Sequence, residues 1–447
     1  MSAPALLSLA VVVGAAASAQ PPADAGSALP LSLSEAQARA RASAPSVEGA
    51  RALERAAQAE MDVARAARRP QLDLSAAYTR QSHVPELVLA LPGAPPRTIF
   101  PDLPDNYRGR LGGAFSVYNG GRSAALFSAA RAQAAAAGQD VAAAEADLVL
   151  ETTAAYWALV TARESERVVA ESLAAYEAHL ADARHRHEAG LVARNEVLAV
   201  QVERDRAELT RLRAANAAEV AEADLVRLVG APPGTRLQPT ERLADAAPAP
   251  PATAGGATEA LVGEALGRRP ERVALAQRVA AADARAKAER AAARPQVTVS
   301  GGFDYANPNR RILPPSAEWQ DSWDVTLGLS WSLFDGGRTG AAARSALARA
   351  DALRRQAEDL DRRIRLQVTA RQLELDAARR AVDVAARNVE AARENGRVAA
   401  ERHQAGVIPS SERLDAEVLL LRAALDHTEA MAQLRTAQAA LDRAVGR

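Results

Sequence analysis

The chain has 447 residues, 55 basic and 55 acidic side chains and no cysteine. Charge balance argues against a nucleic-acid partner, which calls for a basic excess on one face. The lack of cysteine excludes disulfides, thiolate metal sites, a cysteine nucleophile and a lipid-anchored terminal cysteine. At the N-terminus, Leu6 to Ala19 is apolar or small throughout and ends in Ala17-Ser18-Ala19. This reads as a signal peptide over residues 1–19, although Met1 to Pro4 carries no basic residue. No later stretch reaches about 18 uncharged apolar residues, so no transmembrane helix is expected in the mature chain.

The first helical segment runs from Ser34 to Arg69. Beyond it the periodicity changes. Leu72, Leu74 and Tyr78 alternate with Asp73, Ser75 and Thr79, and Leu111, Phe115 and Val117 alternate with Arg110, Gly112 and Ser116. A period of two with one apolar face predicts strands. The same pattern recurs where Val297, Val299, Phe303 and Tyr305 alternate with polar residues, and again from Trp323 to Leu333. These are four strands in two hairpins, with proline-rich loops from Pro85 to Pro104 and from Pro308 to Pro315. Aromatic residues concentrate in the same windows. Alternating strands of about 9–11 residues with aromatic ends are the pattern of a membrane β-barrel, and even the smallest single-chain barrels need about eight strands. Either the strands lie on a soluble sheet or several chains share one barrel, three copies giving twelve strands.

Arg122 to Ala189 and Arg338 to Ala405 are each 68 residues without proline. As helices they would each extend roughly 100 Å, a length that suits a structure reaching across a distance. A shorter helix, Arg194 to Val229, follows the first. It and the Ser34–Arg69 helix are expected to stack end to end beside the long one. Leu414, Val418, Leu421 and Leu425 form a heptad-like seam in the last helix, with Leu198, Val202 and Leu209 at the matching positions of the first half. An ordinary amphipathic bundle would explain that seam equally well.

Most of these signals occur twice. Arg69-Pro70-Gln71 returns as Arg294-Pro295-Gln296, and Tyr118-Asn119-Gly120-Gly121-Arg122 returns as Phe334-Asp335-Gly336-Gly337-Arg338. Arg186-His187-Glu188-Ala189-Gly190-Leu191 returns as Arg402-His403-Gln404-Ala405-Gly406-Val407. Gly121 to Gly190 and Gly337 to Gly406 are both 69 positions. The expected organisation is a first structural repeat over residues 20–230, a Pro/Ala-rich linker over 231–257 and a second repeat over 258–447. The glycine pairs are read as sharp strand-to-helix passages. His185 and His187, two apart on a helix, face different ways and make a poor metal site. With no phosphate-cradling loop and no nucleophile–base set, the chain reads as neither an enzyme nor a cofactor or metal binder.

Helix, hairpin, long helix, Ala-Gly turn and helix, repeated behind a signal sequence, resemble the TolC family of outer-membrane efflux and secretion channels. The resemblance rests on the Arg-Pro-Gln strand entries, the Gly-Gly-Arg strand exits and the Ala-Gly-Leu/Val turns, and it spans nearly the whole mature chain. It implies a homotrimer whose shared β-barrel, four strands per chain, sits in outer-membrane lipid of a Gram-negative bacterium. A long α-helical barrel continues it across the periplasm. The protein is then the passive exit duct of a tripartite efflux or type I secretion system. Gly190, Leu191, Gly406 and Val407 would form the tip that docks a periplasmic adaptor (membrane fusion) protein, and an inner-membrane pump of RND or ABC type would supply energy. Glu412 and Asp415, six and nine after Gly406, match the family's constricting acidic pair; the alternative is that they are solvated surface carboxylates. The first-half turn has Glu196 at plus six but Ala199 at plus nine, and Ile408 stands where some relatives carry a basic latch residue. Without a cysteine, anchoring would rest on the barrel and not on a lipid. The competing reading from another class is a periplasmic adaptor, a coiled-coil coupling protein, and a soluble fibrous coiled coil is a third.

Overall fold

The computed structural model describes residues 28–90, 92–93, 95–245 and 256–447, so the expected signal peptide lies outside the described residues. The first half contains β1 (Leu29–Leu31), α1 (Leu33–Ser43), α2 (Pro45–Ala66), β2 (Gln71–Arg80), β3 (Leu87–Leu89) and β4 (Arg97–Phe100). It continues with β5 (Asp105–Tyr118), α3 (Arg122–Glu188), α4 (Arg194–Leu228) and β6 (Leu237–Pro239). After a 3-10 turn at Leu243–Asp245 come α5 (Gly256–Arg268), α6 (Pro270–Ala291), β7 (Gln296–Asn307), β8 (Gln320–Ser330), α7 (Arg338–Gln404) and α8 (Ser410–Val445).

Helices α3 and α7 are 67 residues each, about 100 Å at the α-helical rise. Alanine-rich, proline-free sequence sustains them. Each starts at a glycine with φ near +87° or +85°, Gly121 and Gly337, where the chain turns sharply out of the sheet. Helix α3 packs along α4, α2, α6 and α8, and α7 along α8, α6 and α5. The first short helix is not continuous over Ser34–Arg69. It divides at Ala44, which is extended, because Pro45 lacks an N–H and sterically disfavours helical geometry in the residue before it. Arg269 before Pro270 divides α5 from α6 in the same way.

The four long strands form one antiparallel sheet in the order β2-β5-β7-β8. The two expected hairpins are therefore joined through β5 and β7. Strand β8 stops at Ser330, so Trp331 and Leu333 lie beyond it; the Trp331 indole donates to the Ala293 carbonyl at 3.0 Å. The first long loop carries its own small hairpin, β3 with β4.

The Pro/Ala-rich stretch over residues 231–257 contains the short strand β6 and the 3-10 turn. Strand β6 pairs in parallel with β1, and residues 246–255 lie outside the described part. Leu31, Val47, Tyr156, Leu159, Leu225 and Leu237 are fully buried in one cluster here. The Glu222 carboxylate accepts from Arg163 at 2.8 Å, Arg236 at 2.7 Å and the Leu237 amide at 2.7 Å. Glu241 accepts from the Leu33 amide at 3.1 Å, from Thr240 at 3.0 Å and from the Tyr156 hydroxyl. Burial, then the bond to Glu241, pushes the Tyr156 phenol up to about 12, so it stays a donor at neutral pH. A second cluster, Val262, Ile364, Val368, Leu375 and Leu441, packs α5 and the end of α8 against α7.

These carboxylates fasten β1 and β6 at the edge of the hydrophobic cluster. Glu222→Ala removes the acceptor of the Leu237 amide and of two guanidinium groups, a local loss of about 2–3 kcal/mol for charge-assisted bonds. Hydrogen exchange should then show loss of protection at the Leu237 and Thr240 amides, with α3 unchanged.

Candidate functional site

Two regions have the character of functional surfaces. The first is the sheet. Register places Leu74, Leu111 and Phe303 on one face, and Phe303 opposite Trp323. That face is bare in the single chain: Leu74 is 80% exposed, Trp323 71% and Leu327 73%. Aromatic rings gather toward the loop end, with Tyr78 4.9 Å from Tyr107 and Tyr305 5.0 Å from Trp319. The opposite face is polar. Arg108 and Arg110 reach Asp304 at 2.6 and 2.5 Å, and Arg110 also reaches Asp324 at 3.0 Å. A side chain at Gly302 would stand 2.7 Å from the Arg110 guanidinium, so the missing Cβ leaves the space in which that group lies. Strands β2 and β8 are each paired on one side only. A sheet apolar on one face and open at both edges is stable in lipid only if the edges are closed.

The second region is the far end of the long helices. At Gly190, with φ +75°, the Gly190 amide donates to His187 and the Leu191 amide to Arg186, at 2.9 and 2.8 Å. At Gly406, with φ +74°, the Gly406 amide donates to His403 and the Val407 amide to Arg402, at 3.0 and 2.9 Å. Both are Schellman turns, which need a left-handed residue to satisfy the last helical carbonyls. In each, a histidine Nδ1 meets the carbonyl five residues on: His187 with Val192 at 2.9 Å, His403 with Ile408 at 3.3 Å. Leu191 and Val407 project from these turns, 75% and 63% exposed.

Behind the second turn is a buried polar cluster. His179 of α3 is 1% exposed, and its ring nitrogens meet Ser410 Oγ at 3.0 Å and a Glu417 carboxylate oxygen at 3.1 Å. Glu417 is also held by Arg413 at 2.9 Å. The His403 ring lies 5.8 Å from the His179 ring. Leu173, Tyr176, Ala207 and Leu414 close one side, and Ala399, Ile408 and Ala416 the other. Burial, with Glu417 and Glu203 adding to it, pushes the Tyr176 phenol up to about 12.

The structure brings Gly406, Val407, Glu412 and Asp415 together around one turn, and sets Gly190 and Leu191 in the other. Glu412 and Asp415 are exposed in the first turns of α8 and make no hydrogen bond or ion pair with a described residue. Of the expected seam, Leu414, Val418 and Leu421 pack inward, but Leu198, Val202 and Leu209 are about half exposed. Helix α4 packs instead through Val197, Val200 and Ala207. His179, Ser410 and Glu417 were not expected from the sequence. The usable signal was His179 falling on the stripe of Leu173, Tyr176 and Ala183, spaced three or four apart.

A family profile described as outer membrane efflux protein matches residues 36–231 and 261–447. Protein CyaE of Bordetella pertussis is 30% identical over 338 residues, which is 74% of this chain and 69% of that protein. The fold is similar to the outer-membrane channel OprN, with a TM-score of 0.77 and 23% identity over 93% of this chain and 89% of that one. It is also similar to the outer membrane protein VceC of Vibrio cholerae, with a TM-score of 0.76 and 21% identity over 93% and 96%.

His403 gives the tip a pH dependence. Burial, and then the nearby charges of Arg186 and Arg413 and the ring of His179, lower its pKa below 6.5, partly offset by the Ile408 carbonyl. Glu417 also faces the cluster. The folded tip therefore binds fewer protons than the unfolded chain, and its stability is full above about pH 6.5 and is lost as pH falls below that. Corrected for intrinsic rate, amide exchange at residues 405–408 should be faster at pH 5.5 than at 7.5, and His403→Gln should flatten the difference.

Proposed function

Because this chain belongs to the outer membrane efflux protein family, we propose that three copies form a passive exit duct of a tripartite efflux or type I secretion system. The observation that carries this reading is the four-stranded sheet, apolar on one face and open at both edges. Three sheets joined edge to edge make a twelve-stranded barrel, with the Arg108, Arg110 and Asp304 face inside and the leucine and tryptophan face in lipid. The two 67-residue helices, with the shorter helices packed along them, continue the barrel as a hollow cylinder through the periplasm. The middle belt surrounds that cylinder. The exposed Leu191 and Val407 at the two Schellman turns suit contact with an adaptor protein, and an inner-membrane pump of RND or ABC type drives transport. A periplasmic adaptor would have no use for an amphipathic sheet with two free edges.

In this reading Glu412 and Asp415 line the periplasmic constriction. Three residues apart on α8, they share a helix face. Three copies make two carboxylate rings that favour cations and repel one another unless screened or protonated. Trimers of Glu412→Gln with Asp415→Asn should lose cation preference and conduct several-fold more in planar bilayers. Conductance and reversal potential unchanged from the parent would remove these residues from the constriction.

A further inference from the structure

One imidazole spans the segment that carries both proposed gate carboxylates. His179 lies on α3, in the first half, and both its ring nitrogens are engaged by α8, in the second. Ser410, at the start of α8, takes one at 3.0 Å, and Glu417, two turns on, takes the other at 3.1 Å. Glu412 and Asp415 fall between these two fixed points, on the exposed side of the same helix. Leu414 fixes the inner side by packing against Leu173 and Tyr176 of α3. Arg413 braces Glu417 from within the helix at 2.9 Å. With Nδ1–H donating to Glu417, Nε2 accepts the Ser410 hydroxyl, so both nitrogens of a neutral ring are satisfied. Any rotation of the start of α8 away from α3 breaks both bonds together and leaves a buried imidazole without either partner, while Glu417 keeps only Arg413.

We propose that His179 is a positioning residue of the gate, clamping residues 410–417 of α8 to α3 and so fixing where Glu412 and Asp415 stand in the closed tip. The proposal rests on the gate reading above and deepens it. Because the chain contains no cysteine, the clamp can be replaced by a removable one. In trimers carrying His179→Cys with Ser410→Cys, the two thiols are bridged by dibromobimane, which fluoresces once both are linked. Losing the charge-assisted bond to Glu417 should raise open-channel occupancy in planar bilayers about tenfold in the dithiol form. Bridging should return it to the parent value, an outcome that a general loss of packing would not give. Parent-like conductance of the dithiol form, or raised conductance that bridging leaves untouched, overturns the clamp. If the double variant does not assemble, Ser410→Ala carries the test, with a rise of about threefold expected and no change counting against the clamp. The Glu412→Gln with Asp415→Asn trimer measured alongside separates the two ideas. If it changes conductance and the clamp variants do not, the gate stands and the clamp fails. If neither changes conductance, the gate reading fails and the clamp with it.

Discussion

Everything in this protein follows from a sheet that cannot be left as one chain makes it. Among the described residues, strands β2 and β8 each present an unpaired edge, and the apolar face between them is uncovered. In water that face would aggregate; in lipid the bare edges would each cost several kcal/mol per unpaired group. Closure with further copies removes both problems at once. It also explains the polar face, where Arg108, Arg110, Asp304 and Asp324 neutralise one another along the wall. In the proposed trimer that face would line a water-filled interior.

The helices inherit the constraint. In the proposed trimer a closed barrel would set their number and spacing, and their 67-residue length would carry that cross-section far from the membrane. A wall one or two helices thick has little core. The apolar clusters are accordingly separated, two around the middle and others near the tip. Between them, buried polar groups with several partners supply definition: Glu222 and Glu241 at the belt, His179 and Glu417 at the tip. The belt anchors the ends of the short helices to the long ones, and the tip cluster ties the two halves together where the duct would close.

Much of this was legible in the residues because it is periodic. Alternation from Trp323 to Leu329 and from Leu72 to Tyr78 located the strands, and the proline-free runs located the long helices. What was not legible is short or distant. Strands β1 and β6 are three residues each, too brief to show a period, and they pair across 208 positions. Pro45 ended a helix that hydrophobic pattern alone carried through. Leu198, Val202 and Leu209 fit a seam on paper but face outward in the protomer, since α4 packs through Val200 and Ala207. His179 looked scattered because its partners are 231 and 238 residues away. His187 and His403, equal in the repeated motif, differ in burial: His403 of α7 packs against His179 of α3, whereas His187 at the end of α3 is exposed.

The most direct test of the account is cysteine cross-linking across the sheet edges in native outer membranes. Single cysteines placed along β2, at Ala76 or Ala77, are combined with single cysteines along β8, at Thr326 or Gly328, and oxidised in cells. The account predicts one register that yields a ladder ending at the covalent trimer, with nothing larger. Chains that stay monomeric at every register, or that link into open-ended multimers, would contradict it.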